Sequence, residues 1–248
     1  NLMNNNIETP SYLYIAHQRK TDGVQQSLET HLSGVADIAK SCAKKIGLEI
    51  QAELIGLLHD LGKYSAEFQA YLKSAVGLIN PDEDDYVDAR GLKGKVDHST
   101  AGAQLVWEAF SKQEGIGQIV GQVLALCIAS HHSGLIDCLS SDSNSPVQDN
   151  FSRRVTKRDE RTHFREAMSK MDEQIASRYR KLISNPELIN GLKGAIRKIM
   201  LCDEINGADP SRNTIIQFKL GLLVRFLFSC LIDADRVEPP GELRDLGL

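Results

Sequence analysis

The sequence predicts an all-α domain, and three observations carry that reading. Apolar residues recur at three- and four-residue spacing over most of the chain, the pattern of amphipathic helices with one buried stripe. The sequence holds no sustained alternation of apolar and polar residues and no internal repeat, which argues against sheets, barrels and solenoids. Glycine, serine and proline punctuate the periodic runs at Gly47, Ser65, Gly115 and Pro186, where helices start and stop.

Taken in order, the apolar stretch from Ser11 to His17 is short and runs into a polar loop through Asp22-Gly23. A helix from Ser27 to Ile46 follows, with Leu28, Leu32, Val35, Ala39, Cys42 and Ile46 as its stripe and Gly47 as its stop. His31 lies on the flank of that stripe. The second helix, Ile50 to Leu61, carries Leu54, Leu57, Leu58 and Leu61 around an adjacent His59-Asp60, and Gly62 ends it. Ser65 caps a third helix to Val76, with Phe68 and Leu72 inward. Asn80 to Asp97, with its acidic Pro81-Asp82-Glu83-Asp84-Asp85, is a loop.

Asp97-His98-Ser99-Thr100 opens a fourth helix through Ala103, Val106, Trp107 and Phe110, ended near Gly115. The fifth has Ile119, Val120, Val123, Leu124, Cys127 and Ile128 as its stripe and terminates on His131-His132-Ser133-Gly134. Ser140 to Asn150, rich in Ser, Asp and Asn, reads as a long loop. A basic amphipathic helix is expected from Arg154 to Ile183, another from Pro186 to Ile205, and a turn over Asn206–Pro210. The last long helix, Asn213 to Asp235, contains Leu220, Leu223, Phe226, Leu227, Cys230 and Leu231.

Composition sets the outer bounds. The 248 residues are 42% hydrophobic and 25% charged, enough for a sizeable core, and are expected to form a single domain over 1–248. A net charge of −4 and a pI of about 6.0 weigh against a dedicated duplex-DNA binder while leaving room for a local basic groove. No uninterrupted apolar run reaches about 18 residues, so no membrane span is expected. The start, Asn1-Leu2-Met3-Asn4-Asn5-Asn6, lacks the basic and apolar regions of a signal peptide. Beginning on Asn and stopping soon after Pro239-Pro240, the sequence reads as a piece of a longer polypeptide. Cys42, Cys127, Cys138, Cys202 and Cys230 form no C-x-x-C pair, which fits buried thiols in a reducing cytoplasm.

Five of the seven histidines, His31, His59, His98, His131 and His132, fall at helix ends or on stripe flanks. One such histidine is ordinarily a hydrogen-bonded core residue. Five, two of them in tandem and one beside an aspartate, would cost desolvation at each imidazole unless a cation gathers them. Imidazole with carboxylate suits divalent transition metals, so the cluster predicts a metal site.

The finer pattern resembles a known family. Ala16-His17, His31-Leu32, Gly56-Leu57-Leu58-His59-Asp60-Leu61-Gly62-Lys63, Asp97-His98-Ser99, His131-His132-Ser133-Gly134 and Leu231-Ile232-Asp233-Ala234-Asp235 follow in order. This set resembles the HD phosphohydrolase superfamily and is similar to the N-terminal HD nuclease domain of the CRISPR-associated type I helicase–nuclease. The likeness runs from Tyr12 to Arg236. It implies a helical HD-domain bundle and two divalent ions, drawn from Mn, Fe, Co, Ni, Zn or Mg. His31, His59, Asp60 and Asp235 would hold the first; His98, His131 and His132 would hold the second, with Asp60 shared. Helical spacing leaves Asp233 and Asp235 equally placed, and the resemblance selects Asp235.

The implied activity is hydrolysis of single-stranded DNA in CRISPR interference, with His59, Asp60 and Lys63 as catalytic residues. Lys63 and Ser99 would contact phosphate. Lys63 also reads as an exposed cation near a helix C-terminus, and Ser99 as a cap. Arg153 and Arg154, in the basic segment from Arg153 to Arg158, are candidate nucleic-acid contacts; a solvated helix face explains that segment equally well. The implied partners are a helicase domain, expected in the same polypeptide, and an RNA-guided surveillance complex. Two other classes remain: an HD phosphohydrolase of small nucleotides, and a helical docking module with structural metal.

Overall fold

The computed structural model describes residues 13–18, 23–78, 96–140, 147–204 and 212–237. Helix α1 (Leu28–Ala43) packs along α2 (Glu49–Leu58), and α2 is buried on every face from Gln51 to Leu58. Its two buried polar side chains are paired, Gln51 to the Leu188 carbonyl and Glu53 to Lys40 and Arg178, and each of its fully buried leucines contributes about 1.5–3 kcal/mol. Gly56 permits the tight crossing, because a Cβ there would lie 2.8 Å from the Ala36 Cα. Ser27 caps α1 by accepting the Thr30 N–H at 3.1 Å, and Gly47, at φ +67°, closes the 3-10 turn that follows it.

Helix α2 stops earlier than its apolar pattern predicts. It ends at Leu58, so His59-Asp60 occupy a turn, and the chain continues as a 3-10 turn, Leu61–Tyr64. Gly62 is no helix cap: its N–H donates to the His98 carbonyl at 3.1 Å, and that contact needs the missing side chain. Ser65 caps α3 (Ala66–Ala75) through the Phe68 N–H. Helices α4 (Thr100–Phe110) and α5 (Ile116–Ser130) pack against each other, with Gly102 beside Ile128 and Phe110 beside Gly121. Ile119, expected in the α5 stripe, is exposed, because Val120, Leu124 and Cys127 take the inward positions.

The expected single helix from Arg154 to Ile183 is four: α6 (Asn150–Val155), α7 (Asp159–Thr162), α8 (Phe164–Lys170) and α9 (Glu173–Ile183). The Asp149 side chain caps α6 through the Ser152 N–H, and His163, at φ +49°, turns the chain between α7 and α8. His163 is half-buried, with its ring against Glu67 and Glu166. Helix α10 (Glu187–Glu204) and α11 (Arg212–Val237) complete the bundle, α11 packing on α1, α2 and α5.

Two small antiparallel hairpins are added. β1 (Ile15–Gln18) pairs with β2 (Gln25–Ser27); β3 (Leu139–Ser140) pairs with β4 (Gln148–Asp149) and takes up part of the expected Ser140–Asn150 loop. Gln69 ties β1 to the site by holding the Ile15 backbone at both N–H and carbonyl and the Lys63 carbonyl at 2.8 Å. The described residues are thus an all-α bundle. The Asn80 loop except Val96-Asp97, the Asn206–Pro210 turn, the Cys202 side chain and Pro239-Pro240 lie outside the described residues.

One helix bears on the expectation of no membrane span. Asn213–Val237 is long and apolar enough to cross a membrane by length and composition alone. A core helix passes the same test. Here Leu227, Cys230, Leu231 and Ala234 are buried in the bundle, whereas Ile215, Phe218 and Leu222 are exposed.

Candidate metal centre

The end of α2 lies at the centre of the bundle, and the chemistry gathers there. His59 and Asp60 leave the helix together, both buried. Nδ1 of His59 faces the Gly56 carbonyl at 2.8 Å, Nδ1 of His131 the Ile128 carbonyl at 2.7 Å, and Nδ1 of His98 the Val96 carbonyl at 3.1 Å. A carbonyl only accepts, so each Nδ1 carries a proton and each Nε2 is turned toward the site.

Those Nε2 atoms converge on Asp60. Its Oδ2 lies 3.4 Å from His31 and 3.3 Å from His59; its Oδ1 lies 3.2 Å from His131, 3.7 Å from His98 and 3.9 Å from His132. Asp235, from the last turns of α11, adds its Oδ1 at 3.6 Å from His31 and 3.4 Å from His59. Asp233 points outward and is exposed. Two sets result, His31, His59, Asp60 and Asp235, and Asp60, His98, His131 and His132, each with ligand atoms within 4.8 Å of one another. Asp60 belongs to both.

The donor set fits a divalent cation. Nε2 of His59 is fully buried and near two carboxylates, yet aligned for a hydrogen bond with neither. Burial pulls the His59 pKa down, and Asp60 and Asp235 more than reverse it, to about 10. The same field that holds a proton there attracts a metal ion, and the two compete for one lone pair. Burial raises the Asp60 carboxyl, but Lys63 and then His59 hold it well below the carboxylate range; Asp235 is held low by His59 against the same effect of burial. In the second set, burial keeps His98 down at about 4 and His132 at about 3, so both imidazoles are neutral at neutral pH.

Lys63 is not an exposed cation past a helix end. It is buried, with Nζ 2.8 Å from Asp60 Oδ2 and donating to the Ala16 carbonyl at 3.4 Å. The β1 register shifts across Ala16, the residue that supplies this carbonyl. His17 meets His31 edge-on, with ring centroids 4.7 Å apart, and belongs to neither set; burial and the charge of Lys63 keep it neutral.

Ser99 is buried beside His98 and does not cap its helix through its side chain; Asp97 does. Asp97 Oδ1 accepts the Thr100 N–H at 3.1 Å, and Oδ2 takes the Thr100 hydroxyl at 2.8 Å and Lys157 at 2.6 Å. Burial raises its carboxyl, but Lys157 and Arg154 bring it below its ordinary value. A depressed folded pKa contributes stability above the unfolded value and loses it as pH falls through the folded one. Asp97→Ala is expected to cost about 1–2 kcal/mol at neutral pH, measured by denaturant unfolding. The gap to wild type should narrow on acidification; a gap constant with pH contradicts this role.

Arg154, from α6, donates to Ser99 Oγ at 2.6 Å and to the Ala129 carbonyl at 3.3 Å, joining the start of α4 to the end of α5. Arg153 is exposed and bonded to Gln148 Oε1 at 2.6 Å. Lys157 was not singled out within its basic segment, although it follows Arg154 by three residues, the spacing of one helical face. Its partner Asp97 is too far along the chain to be paired with it by sequence pattern.

A comparison with curated proteins gives no match. The family model described as Cas3, HD domain matches residues 14–196, which contain every member of the two sets except Asp235. The chain therefore belongs to the Cas3 HD-domain family, the HD-type metal-dependent nucleases of CRISPR systems.

Proposed function

We propose that the chain hydrolyses phosphodiester bonds of single-stranded DNA during CRISPR interference, an antiviral defence, using two divalent ions that share Asp60. The observation that carries this reading is the division of one buried carboxylate, Oδ2 toward His31 and His59 and Oδ1 toward His98, His131 and His132. Bound divalent ions supply Lewis acidity, drawing charge off a phosphate and making hydroxide available near neutral pH. The chain's own part is to hold the ligand atoms in place. The carbonyls of Gly56 and Ile128 fix two imidazoles from below, and burial keeps water from competing for them. Lys63 adds a positive charge at Asp60 Oδ2, and the Ala16 carbonyl and Gln69 hold its segment still.

The second set favours a strand over a small nucleotide in a closed pocket: the His132 side chain is 46% exposed, so that side of the site is open. Packing of the described residues around α2 supports one domain. Family membership supports a helicase and an RNA-guided complex as partners, in the cytoplasm.

The test incubates metal-loaded protein with circular single-stranded DNA and, separately, with a panel of nucleotides. The expected result is nicking of the circle with little nucleotide turnover. Nucleotide turnover with an intact circle would sink the nuclease reading in favour of a small-nucleotide phosphohydrolase.

A further inference from the structure

Beside the second set, Ile136, Asp137 and Ser140 on one side and α6 with Lys157 on the other wall an open cleft of about 600 Å³. Arg153, Arg154 and Lys157 line it, and Asp137 is the one acid among the described lining residues. The cleft and the candidate metal centre share structure. Arg154 grips Ser99, which follows His98, and the carbonyl of Ala129, two residues before His131. On the other wall, the Ile136 N–H donates to Ser130 Oγ at 3.3 Å, and Ser130 directly precedes His131.

The charge in this cleft is under-compensated. Lys157 is committed to Asp97. Neither guanidinium has a carboxylate within ion-pair distance among the described residues, and Arg154 Nε is buried with no hydrogen-bond partner. Arg154 has a structural use in joining α4 to α5. Arg153 has none of that kind: it is exposed and spends one donor of five on Gln148. Lys157 and Arg154 both feel Asp97, so Arg153 is the cation on this wall left for an anion, and a guanidinium fork matches a phosphate best.

We propose that this cleft seats a backbone phosphate of the nucleic-acid strand outside the link being cut, so that a substrate must extend past the metal centre to bind well. The proposal rests on the nuclease reading. It makes Arg153 a residue that selects polynucleotide over small phosphodiester. Lys157 and Arg154 hold the wall in place.

The test uses Arg153→Glu and Arg153→Lys in the 248-residue chain. Binding of a labelled single-stranded oligodeoxynucleotide is read by fluorescence anisotropy across salt concentrations. Turnover of the same oligonucleotide is compared with that of bis(p-nitrophenyl) phosphate. Arg153→Glu is expected to weaken binding about tenfold, as for one lost charge-assisted contact. The slope of log affinity against log salt should shrink by at least about 0.7, the value per phosphate on a single strand. The ratio of oligonucleotide to small-diester turnover should fall with the affinity, and Arg153→Lys should restore most of it.

Unchanged affinity and slope would overturn the proposal. So would equal loss on both substrates with a lowered unfolding midpoint, which marks a structural role. If wild type hydrolyses the small diester but does not cut the oligonucleotide, the nuclease reading fails and takes the cleft with it. If wild type cuts and Arg153→Glu binds and cuts as well, the cleft alone fails.

Discussion

Asp60→Asn is expected to lower hydrolysis about a thousandfold or more, in the range seen when a preorganised group at a charged transition state is removed. The change trades a shared anionic ligand for a neutral amide while keeping shape. Both metal sets include Asp60, so the loss falls on both together. The chain should remain folded. Lys63, buried 2.8 Å from Asp60 Oδ2, still finds an oxygen on Asn and keeps the Ala16 carbonyl. The stability cost is then roughly 1–3 kcal/mol, below the usual 5–15 kcal/mol total. Asp60→Ala would leave the ammonium with far less and is the poorer variant. Kinetics, metal content and circular dichroism together decide. An unfolded Asp60→Asn would favour a structural-metal docking module, and an active one would remove Asp60 from the chemistry.

Gly62→Ala is the second large effect, and it strikes the site without touching a ligand. A Cβ at Gly62 would lie 2.5 Å from both the Cα and the carbonyl oxygen of His98. These are backbone atoms, so the segment that opens α4 has to move. His98 Nε2 moves with it, away from Asp60 Oδ1, which it approaches at 3.7 Å. Overpacking of this kind costs about 1–3 kcal/mol, and displacement by about 1 Å costs on the order of a hundredfold in rate. The expected pattern is selective: metal held by His98, His131 and His132 is lost first, while the set around His31 and His59 survives. Wild-type activity with full metal content would show that the contact relaxes without disturbing His98.

These two residues show what the sequence could and could not disclose. His59-Asp60 at the end of a largely apolar helix was legible because burying such a pair is costly unless a cation gathers it. Its partners were legible for the same reason, as histidines at helix ends. The resemblance pointed to Asp235 over Asp233, and the structure turns Asp235 toward His31 and His59. Gly62 was read as a helix stop, since glycine after an apolar run has that meaning by default. Its actual job, a close approach to His98, depends on a residue 36 positions away that no local pattern can name. Gly102, whose Cβ would lie 1.9 Å from the Leu58 carbonyl oxygen, is silent in the same way.

The helix from Arg154 to Ile183 failed for a different reason. Its breaks at Thr156, His163 and Met171 carry neither glycine nor proline, and the amphipathic period continues across them. Two of the breaks are held by side-chain bonds, one local and one tertiary: the Asp159 carboxylate accepts the Arg165 N–H at 2.9 Å across His163, and Tyr64 donates to Asp172 at 2.6 Å. Splitting the segment is also what brings Arg153, Arg154 and Lys157 beside the second set of ligands.

The central claim is that Asp60 is shared between two ions, and an anomalous-difference map of manganese-soaked crystals tests it most directly. The account predicts two peaks about 3.5–4 Å apart, one near His31, His59 and Asp235, the other near His98, His131 and His132, both in contact with Asp60. A single peak at full occupancy, or a pair in which only one touches Asp60, would contradict it.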